Sequence, residues 1–226
     1  MISSTRLAVF DVDGTIIDSQ HNIVASMQSA CETSGIAAPG PAAIRAIIGL
    51  SLPVAVARLL PDLDPQTLEI IAEAYKRCFL TRRQNPDHEE PMFPGAMRTI
   101  DALAADGWLL AVATGKSRRG LLAMLDHHGL QGRFMSLQTA DDNPTKPHPA
   151  MLQKAMAEAG ALASETVMIG DTSYDMQMGR EAGARSIGVG WGYHPEQALL
   201  EAGAERVVAS YDELLPVLTH LFDPVS

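Results

Sequence analysis

Residues 7–19 read LAVFDVDGTIIDS, and this stretch decides the fold. The four apolar residues LAVF predict a buried strand, because a short apolar run bounded by polar residues is typical of one. The run leads directly into Asp11 and Asp13. Side chains of a regular strand alternate between its two faces, so these carboxylates would point to the same side. Crowded carboxylates repel one another unless a cation lies between them, which predicts a charged site at the end of this strand.

The second half of the chain repeats one pattern from about residue 95 onward. A helix-like segment ends at a glycine and a short apolar run follows it, at Gly107, Gly129, Gly160, Gly183 and Gly203. Glycine suits the left-handed conformation that ends many helices. The apolar runs lack clean alternation, as expected for parallel strands that are covered on both faces. With LAVF as the first strand, the pattern predicts an α/β fold: an open, doubly wound (Rossmann-like) parallel sheet.

Residues 19–88 interrupt this pattern. Four helix-like segments follow one another without a strand between them, which predicts an inserted α-helical cap domain. The stretch NPDHEEPMFPG, rich in proline and acids, is predicted to lead the chain back to the sheet. The expected organisation is therefore a core domain of residues 1–18 and 89–226 and a helical cap domain of residues 19–88.

The composition excludes several classes of partner. The formal net charge is −10, so neither nucleic acid nor an anionic membrane is expected as a partner. No apolar run approaches the roughly 18 residues of a membrane span. The first residues, MISSTR, lead directly into a strand-like run, so a signal peptide is not expected. Cys31 and Cys78 lack a metal-type spacing. A cytoplasmic location with reduced thiols is the expectation. The sequence predicts no oligomeric state.

Polar residues follow several of the predicted strands. Ligands of open α/β sheets bind beyond the carboxyl ends of the strands, so these residues are expected to meet at one edge. They are Asp11, Asp13, Thr114, Gly115, Lys116, Ser117, Asp171 and Asp175, with Lys146 in the loop DNPTKPHP. Carboxylates that hold a hard cation such as Mg²⁺, together with a hydroxyl and a lysine, indicate phosphoryl transfer.

Each of these residues also has a purely structural interpretation. Thr114 alone is more often a helix cap than a phosphate ligand. Lys146 alone is most simply a solvated lysine, and GDTSYD can be a turn followed by an acid in the first turn of a helix. The order and the location of the groups favour the functional interpretation over these alternatives.

Four short motifs resemble those of the haloacid dehalogenase-like hydrolase superfamily. They are DVDGT at residues 11–15, ATGKS at 113–117, KP at 146–147 and GDTSYD at 170–175, in that order. The match covers nearly the whole chain, because the helical insertion also resembles the cap of that superfamily. GVGWGYHPEQALLEAGAERVV is similar to the C-terminal stretch of the phosphoglycolate phosphatase-like subgroup.

The resemblance implies a role for each matching residue. Asp11 would be the nucleophile and a metal ligand, and Asp13 the general acid and base, with its backbone carbonyl on the metal. Thr114 and Gly115 would hold the transferring phosphoryl group, and Lys146 would bridge nucleophile and phosphate. Asp171 would bind the metal, and Asp175 would hold a metal-bound water or orient Lys146. The implied cofactor is Mg²⁺.

The second acid discriminates among members of the superfamily. The dehalogenases lack a carboxylate at the position of Asp13, and the phosphonate-cleaving members need a cap lysine, for which only Lys76 is available. Sugar-phosphate mutases of the β-phosphoglucomutase type and pyrophosphatases stay open. A phospho-accepting receiver module of signalling proteins is disfavoured, because its lysine and acids come in another order and it has no helical insertion.

The expected activity is Mg²⁺-dependent hydrolysis of a small anionic phosphomonoester through a phosphoaspartate, with 2-phosphoglycolate as the leading candidate. The partner is a small phosphorylated metabolite. Arg45 precedes AIIGL, and a turn at Gly49 would aim its guanidinium at a substrate carboxylate or second phosphate. A solvent-facing helix arginine is the equally weighted alternative.

Overall fold

The computed structural model describes residues 5–85 and 89–222. Its centre is a six-stranded parallel sheet with the strand order β3-β2-β1-β4-β5-β6, which confirms the predicted fold class. The strands β1 to β6 are Leu7–Phe10, Leu109–Thr114, Ser136–Thr139, Thr166–Gly170, Arg185–Val189 and Arg206–Val208. The chain winds outward from β1 in both directions, so the crevice at this switch point is where a ligand is expected.

Ten α-helices accompany the sheet within the described residues. In chain order, α1 to α10 are Gln20–Thr33, Pro41–Arg45, Leu52–Leu59, Pro65–Arg83, Ala96–Ala105, Arg118–His127, Ala150–Ala159, Ser173–Glu181, Glu196–Ala202 and Tyr211–His220. All five glycines predicted to end helices have positive φ angles, between 65° and 118°. The predicted helix ends are therefore confirmed.

Strand β1 is fully buried because its side chains serve two hydrophobic cores. Ala8 and Phe10 pack with side chains of α5, α6 and α10 on one face of the sheet. Leu7 and Val9 point to the opposite face and pack with side chains of α7 and α8. Both faces of the strand are covered, which explains why LAVF contains no polar residue.

Helices α1 to α4 pack on one another around a separate hydrophobic cluster. Ile23, Met27, Ile44, Val56 and Ile71 are among its buried members. Cys31 is buried in this cluster and Cys78 is half-buried, and both are free thiols. The division into cap and core stays a prediction, and its boundary at residue 88, like residues 1–4 and 223–226 of the core, lies outside the described residues.

Within residues 5–85 and 89–222, none of the helices combines the length and apolar character that crossing a membrane requires.

Candidate active site

Asp11 and Lys146 form the buried centre of the predicted site. Asp11 directly follows β1, and its N–H donates to the carbonyl of Ile169, so its backbone is fixed by the sheet. The Lys146 ammonium donates to Asp11 Oδ1 at 2.7 Å and to Asp175 Oδ1 at 2.6 Å. Lys146 is completely buried, so the solvated-lysine alternative is wrong.

Asp11, Asp171 and Asp175 form a cluster of buried carboxylates. One oxygen from each lies within 4.8 Å of the others. Asp171 accepts hydrogen bonds from Thr15 Oγ1 at 3.1 Å and from the N–H of Tyr193 at 2.8 Å. Asp11 Oδ2 is buried and has no hydrogen-bond partner among the described residues. An all-oxygen donor set with a buried, unpartnered carboxylate oxygen fits a hard divalent cation.

The charge balance of this cluster also fits a cation. Three carboxylates face one ammonium, and burying excess negative charge is costly. Burial raises the pKa of Asp11 to about 7, although the nearby Lys146 ammonium acts in the opposite direction. Burial, together with the charges of Asp11 and Asp175, raises the pKa of Asp171 well above its usual range. A divalent cation among these groups would favour their ionised forms.

Lys146 keeps its charge in this environment. Burial by itself lowers the pKa of Lys146, but the carboxylates of Asp11 and Asp175 outweigh it, so that the pKa is raised. Asp175 is fixed in turn, because its Oδ2 accepts from both the N–H and the hydroxyl of Thr172 at 3.1 and 2.6 Å. Asp175 thus contacts Lys146 from a fixed position, which suits one of the two roles that the resemblance implied.

Asp13 has partners different from those of Asp11. Its carboxylate accepts a hydrogen bond from Ser19 Oγ and forms an ion pair with Lys116 Nζ at 2.7 Å. Strand β1 ends at Phe10, so the alternation of a regular strand does not govern the direction of this side chain. The carboxylate of Asp13 is not part of the three-carboxylate cluster. A metal contact of Asp13 therefore stays a prediction for its backbone carbonyl alone.

A tight turn after Asp13 brings the chain back onto the cluster. Gly14 has a φ of 83°, and a Cβ atom at this position would lie 2.2 Å from Asp171 Oδ2. The carbonyl of Thr15 accepts hydrogen bonds from Tyr211 Oη at 2.9 Å and Trp191 Nε1 at 3.1 Å. The C-terminal part of the chain thus anchors the loop that carries both acids.

Thr114 and Gly115 lie at the carboxyl end of β2, as predicted. The buried Thr114 hydroxyl accepts from the N–H of Lys116 at 3.2 Å. Helix α6 begins at Arg118, four residues after Thr114, and is capped by Ser117, so Thr114 is not its cap. A Cβ atom on Gly115 would lie 2.6 Å from the carbonyl oxygens of Gly49 and Leu50, so glycine allows the loop at residues 49–51 to approach.

Sequence reasoning missed how closely the loop at residues 49–51 approaches the core. Besides its contact with Gly115, this loop donates a hydrogen bond from the N–H of Ser51 to Thr145 Oγ1 at 2.7 Å, directly beside Lys146. The sequence places Lys116 at this edge without a specific role, and in the structure it pairs with Asp13 and lies 5.6 Å from the centroid of the Phe79 ring of α4. In the sequence, the only feature that indicated a functional role for Lys116 was its place in the motif ATGKS.

The contact of Arg45 with substrate stays a prediction. The predicted turn at Gly49 exists, with a φ of 99°, but it presents backbone carbonyls to Gly115. Arg45 ends α2, beside Ile44, which faces the helical cluster, and it does not line the cavity next to Asp13. The structure leaves its predicted contact with substrate without support.

A cavity of about 810 Å³ adjoins Asp13 between the sheet and helices α1 and α4. Gly115 and Lys116 line it from the core side, and Tyr75 and Phe79 line it from the helical side. A volume of this size is typical of binding pockets for small molecules.

Comparisons with known proteins show which family and which fold this chain shares. A family model described as haloacid dehalogenase-like hydrolase matches residues 8–189. A protein of Dickeya dadantii named "Probable phosphatase IndB" is 34% identical over 212 residues, covering 92% of this chain and 91% of its own. A phosphoglycolate phosphatase of Pectobacterium atrosepticum is 29% identical over 222 residues, covering 97% and 94%. The crystal structure of a hydrolase from Pseudomonas syringae has a TM-score of 0.83 at 26% identity, covering 99% and 100%.

Proposed function

Because the chain belongs to the haloacid dehalogenase-like hydrolase family and is a phosphoric monoester hydrolase, we propose that it acts through a phosphoaspartate on Asp11. One observation carries the proposal. The buried Asp11 carboxylate is held by the Lys146 ammonium at 2.7 Å and lies within 4.8 Å of carboxylate oxygens of Asp171 and Asp175. A carboxylate fixed in this way attacks without first having to be ordered.

In the first step, a carboxylate oxygen of Asp11 bonds to phosphorus and the bond from phosphorus to the ester oxygen breaks. Asp13 gives its proton to the departing alcohol oxygen. In the second step, water attacks phosphorus, Asp13 takes the proton of that water, and the bond between Asp11 and phosphorus breaks. Free phosphate and the original carboxylate result. Asp13 has its own hydrogen-bonding partners, Ser19 and Lys116, and this separation from the cluster suits a group that moves protons beside the nucleophile.

Phosphoryl binding is assigned to the groups around Asp11. The Thr114 hydroxyl and the N–H of Gly115 would donate to the phosphoryl oxygens, and Lys146 would balance the charge that develops on them. Arg45 has no part in this proposal, because it does not line the cavity beside Asp13.

The cluster of Asp11, Asp171 and Asp175, with the backbone carbonyl of Asp13, would hold Mg²⁺. The ion would supply positive charge to the carboxylates and to the phosphoryl oxygens. Both oxygens of Asp175 already accept hydrogen bonds, from Lys146 and from Thr172, so Asp175 would orient Lys146 or contact the ion through a water.

Metal removal is expected to stop the reaction. Protein freed of metal with a chelator should release phosphate from an aryl phosphate at least roughly 100-fold more slowly than protein in Mg²⁺, because the buried negative charge then repels the substrate. Mg²⁺ should also raise the melting temperature of the metal-free wild type, and Asp171→Asn should lose this rise. An unchanged rate after complete metal removal would contradict the assignment of the cluster.

Product analysis separates the remaining alternatives. The names of the phosphoglycolate phosphatase relatives make 2-phosphoglycolate the first natural ester to measure. A hydrolase releases free phosphate from it, whereas a mutase of the β-phosphoglucomutase type isomerises a sugar phosphate with little free phosphate. A pyrophosphatase would cleave pyrophosphate in preference to every ester.

A further inference from the structure

The cavity of about 810 Å³ lies on the leaving-group side of the proposed site. Asp13 is in its wall, whereas Asp11, Lys146 and Asp171 do not line it. If Asp13 protonates the departing oxygen, as proposed above, the group attached to that oxygen extends into this cavity. The residues that line the cavity therefore indicate what kind of alcohol part the substrate has.

The helical side of this cavity is largely apolar. Ile23 and Met27 of α1, Ile48 and Leu50 of the loop before α3, and Tyr75 and Phe79 of α4 all line it. Tyr75 and Phe79 are one helical turn apart, and their ring centroids lie 5.8 Å from each other, so both rings face the same space. Aliphatic side chains with two adjacent rings form a surface that gains free energy by covering an apolar ligand.

The charged groups of the cavity are largely balanced. Four cationic residues line it, and three of these have a carboxylate partner: Lys116 with Asp13 at 2.7 Å, Lys76 with Glu73 at 2.6 Å, and Arg83 with Glu90 at 4.0 Å. The fourth, Arg119, is exposed. A pocket that selects a second anion is expected to offer a buried cation without such a partner. Lys116 is without its partner only while Asp13 carries a proton, so the apolar helical wall supports an uncharged alcohol part more directly than the charge balance does.

We propose that the alcohol part of the preferred substrate is uncharged, apolar and about the size of an aromatic ring, and that it lies against Phe79 and Tyr75. This inference rests on the proposed function and names the substrate class for the same site. It departs from 2-phosphoglycolate, whose alcohol part has two carbons and carries a carboxylate. Such a small group would leave most of the apolar wall uncovered.

Three esters of primary alcohols test the proposal, because their leaving oxygens are chemically alike. We expect kcat/KM for benzyl phosphate to exceed that for ethyl phosphate and for 2-phosphoglycolate by at least roughly tenfold. Phe79→Ala should remove most of this preference. The ratio of two kcat/KM values does not depend on how much of the variant is folded, so partial misfolding of Phe79→Ala does not obscure the result.

Ile70→Ala provides the matched control, since Ile70 is also on α4, is 51% exposed and does not line the cavity. It should keep the wild-type ratio. Equal or better turnover of 2-phosphoglycolate or ethyl phosphate overturns the inference while leaving the proposed function intact. The same holds for a benzyl preference that Phe79→Ala leaves unchanged. If folded protein in Mg²⁺ hydrolyses none of the three esters, that result overturns the proposed function itself, and this inference with it.

Discussion

Replacement of Asp11 by asparagine is expected to reduce phosphate release by roughly 10⁴-fold or more while the protein stays folded. Asparagine has almost the same shape as aspartate, but its amide is not a nucleophile that can accept the phosphoryl group. The buried Lys146 ammonium keeps its second partner, Asp175, at 2.6 Å. The measurement is the rate of phosphate release from an aryl phosphate in Mg²⁺, with a thermal melt of the same preparation.

Asp18→Asn is the matched control for this experiment. Asp18 belongs to the same stretch, LAVFDVDGTIIDS, but its side chain bonds to Gln20 Nε2 at 3.2 Å and lies outside the carboxylate cluster. This variant should keep nearly the wild-type rate. Turnover at the wild-type rate by Asp11→Asn would remove the nucleophile from the proposed mechanism.

Replacement of Lys146 by methionine is expected to lower both activity and stability. The change removes an ammonium that pairs with two of three clustered buried carboxylates, and breaking a buried ion pair in this way costs about 3–5 kcal/mol. Urea denaturation in a chelator should show this loss in the free energy of unfolding. Mg²⁺ should restore part of the stability, because it supplies positive charge to the same carboxylates.

Lys154→Met is the control, because the Lys154 ammonium bonds to the carbonyl of Asp142 at an exposed position. It should change stability by less than about 1 kcal/mol. If Lys146→Met were as stable as the wild type in the chelator, the Lys146 ammonium would not be needed to stabilise the buried carboxylates, contrary to this prediction.

The sheet was predictable because its signals are local. LAVF, the apolar runs and the glycines that end the helices each act within a few residues, and parallel topology then brings the carboxyl ends of the strands together. Asp11 and Asp171 could therefore be placed at one edge from their positions directly after β1 and β4. Lys146 was placed with these residues from its loop, but a lysine in a loop gives no sign of complete burial.

The partners of Asp13 were not predictable, because they depend on contacts that are distant in sequence. The loop after β1 is held by Tyr211 and Trp191, which are 196 and 176 residues away from Thr15. This turn, and not the alternation of a strand, directs Asp13 towards Ser19 and Lys116. For a related reason the direction of the Arg45 side chain stays a prediction: the turn at Gly49 was foreseen, but its contacts with Gly115 are made by backbone carbonyls.

Detection of the phosphoryl group on Asp11 tests the central claim most directly. Asp13→Asn protein is mixed with 4-nitrophenyl phosphate in Mg²⁺, quenched rapidly in acid and mapped by peptide mass spectrometry. The nitrophenolate leaves without a proton from Asp13, so the first step proceeds, whereas the second step slows because no base activates water. The covalent intermediate should therefore accumulate.

The mechanism predicts one added phosphoryl group on the peptide that contains Asp11, and none when Asp11→Asn is combined with Asp13→Asn. A phosphoryl group on any other residue would contradict it. So would continued release of nitrophenolate over many turnovers without phosphorylated Asp11 peptide.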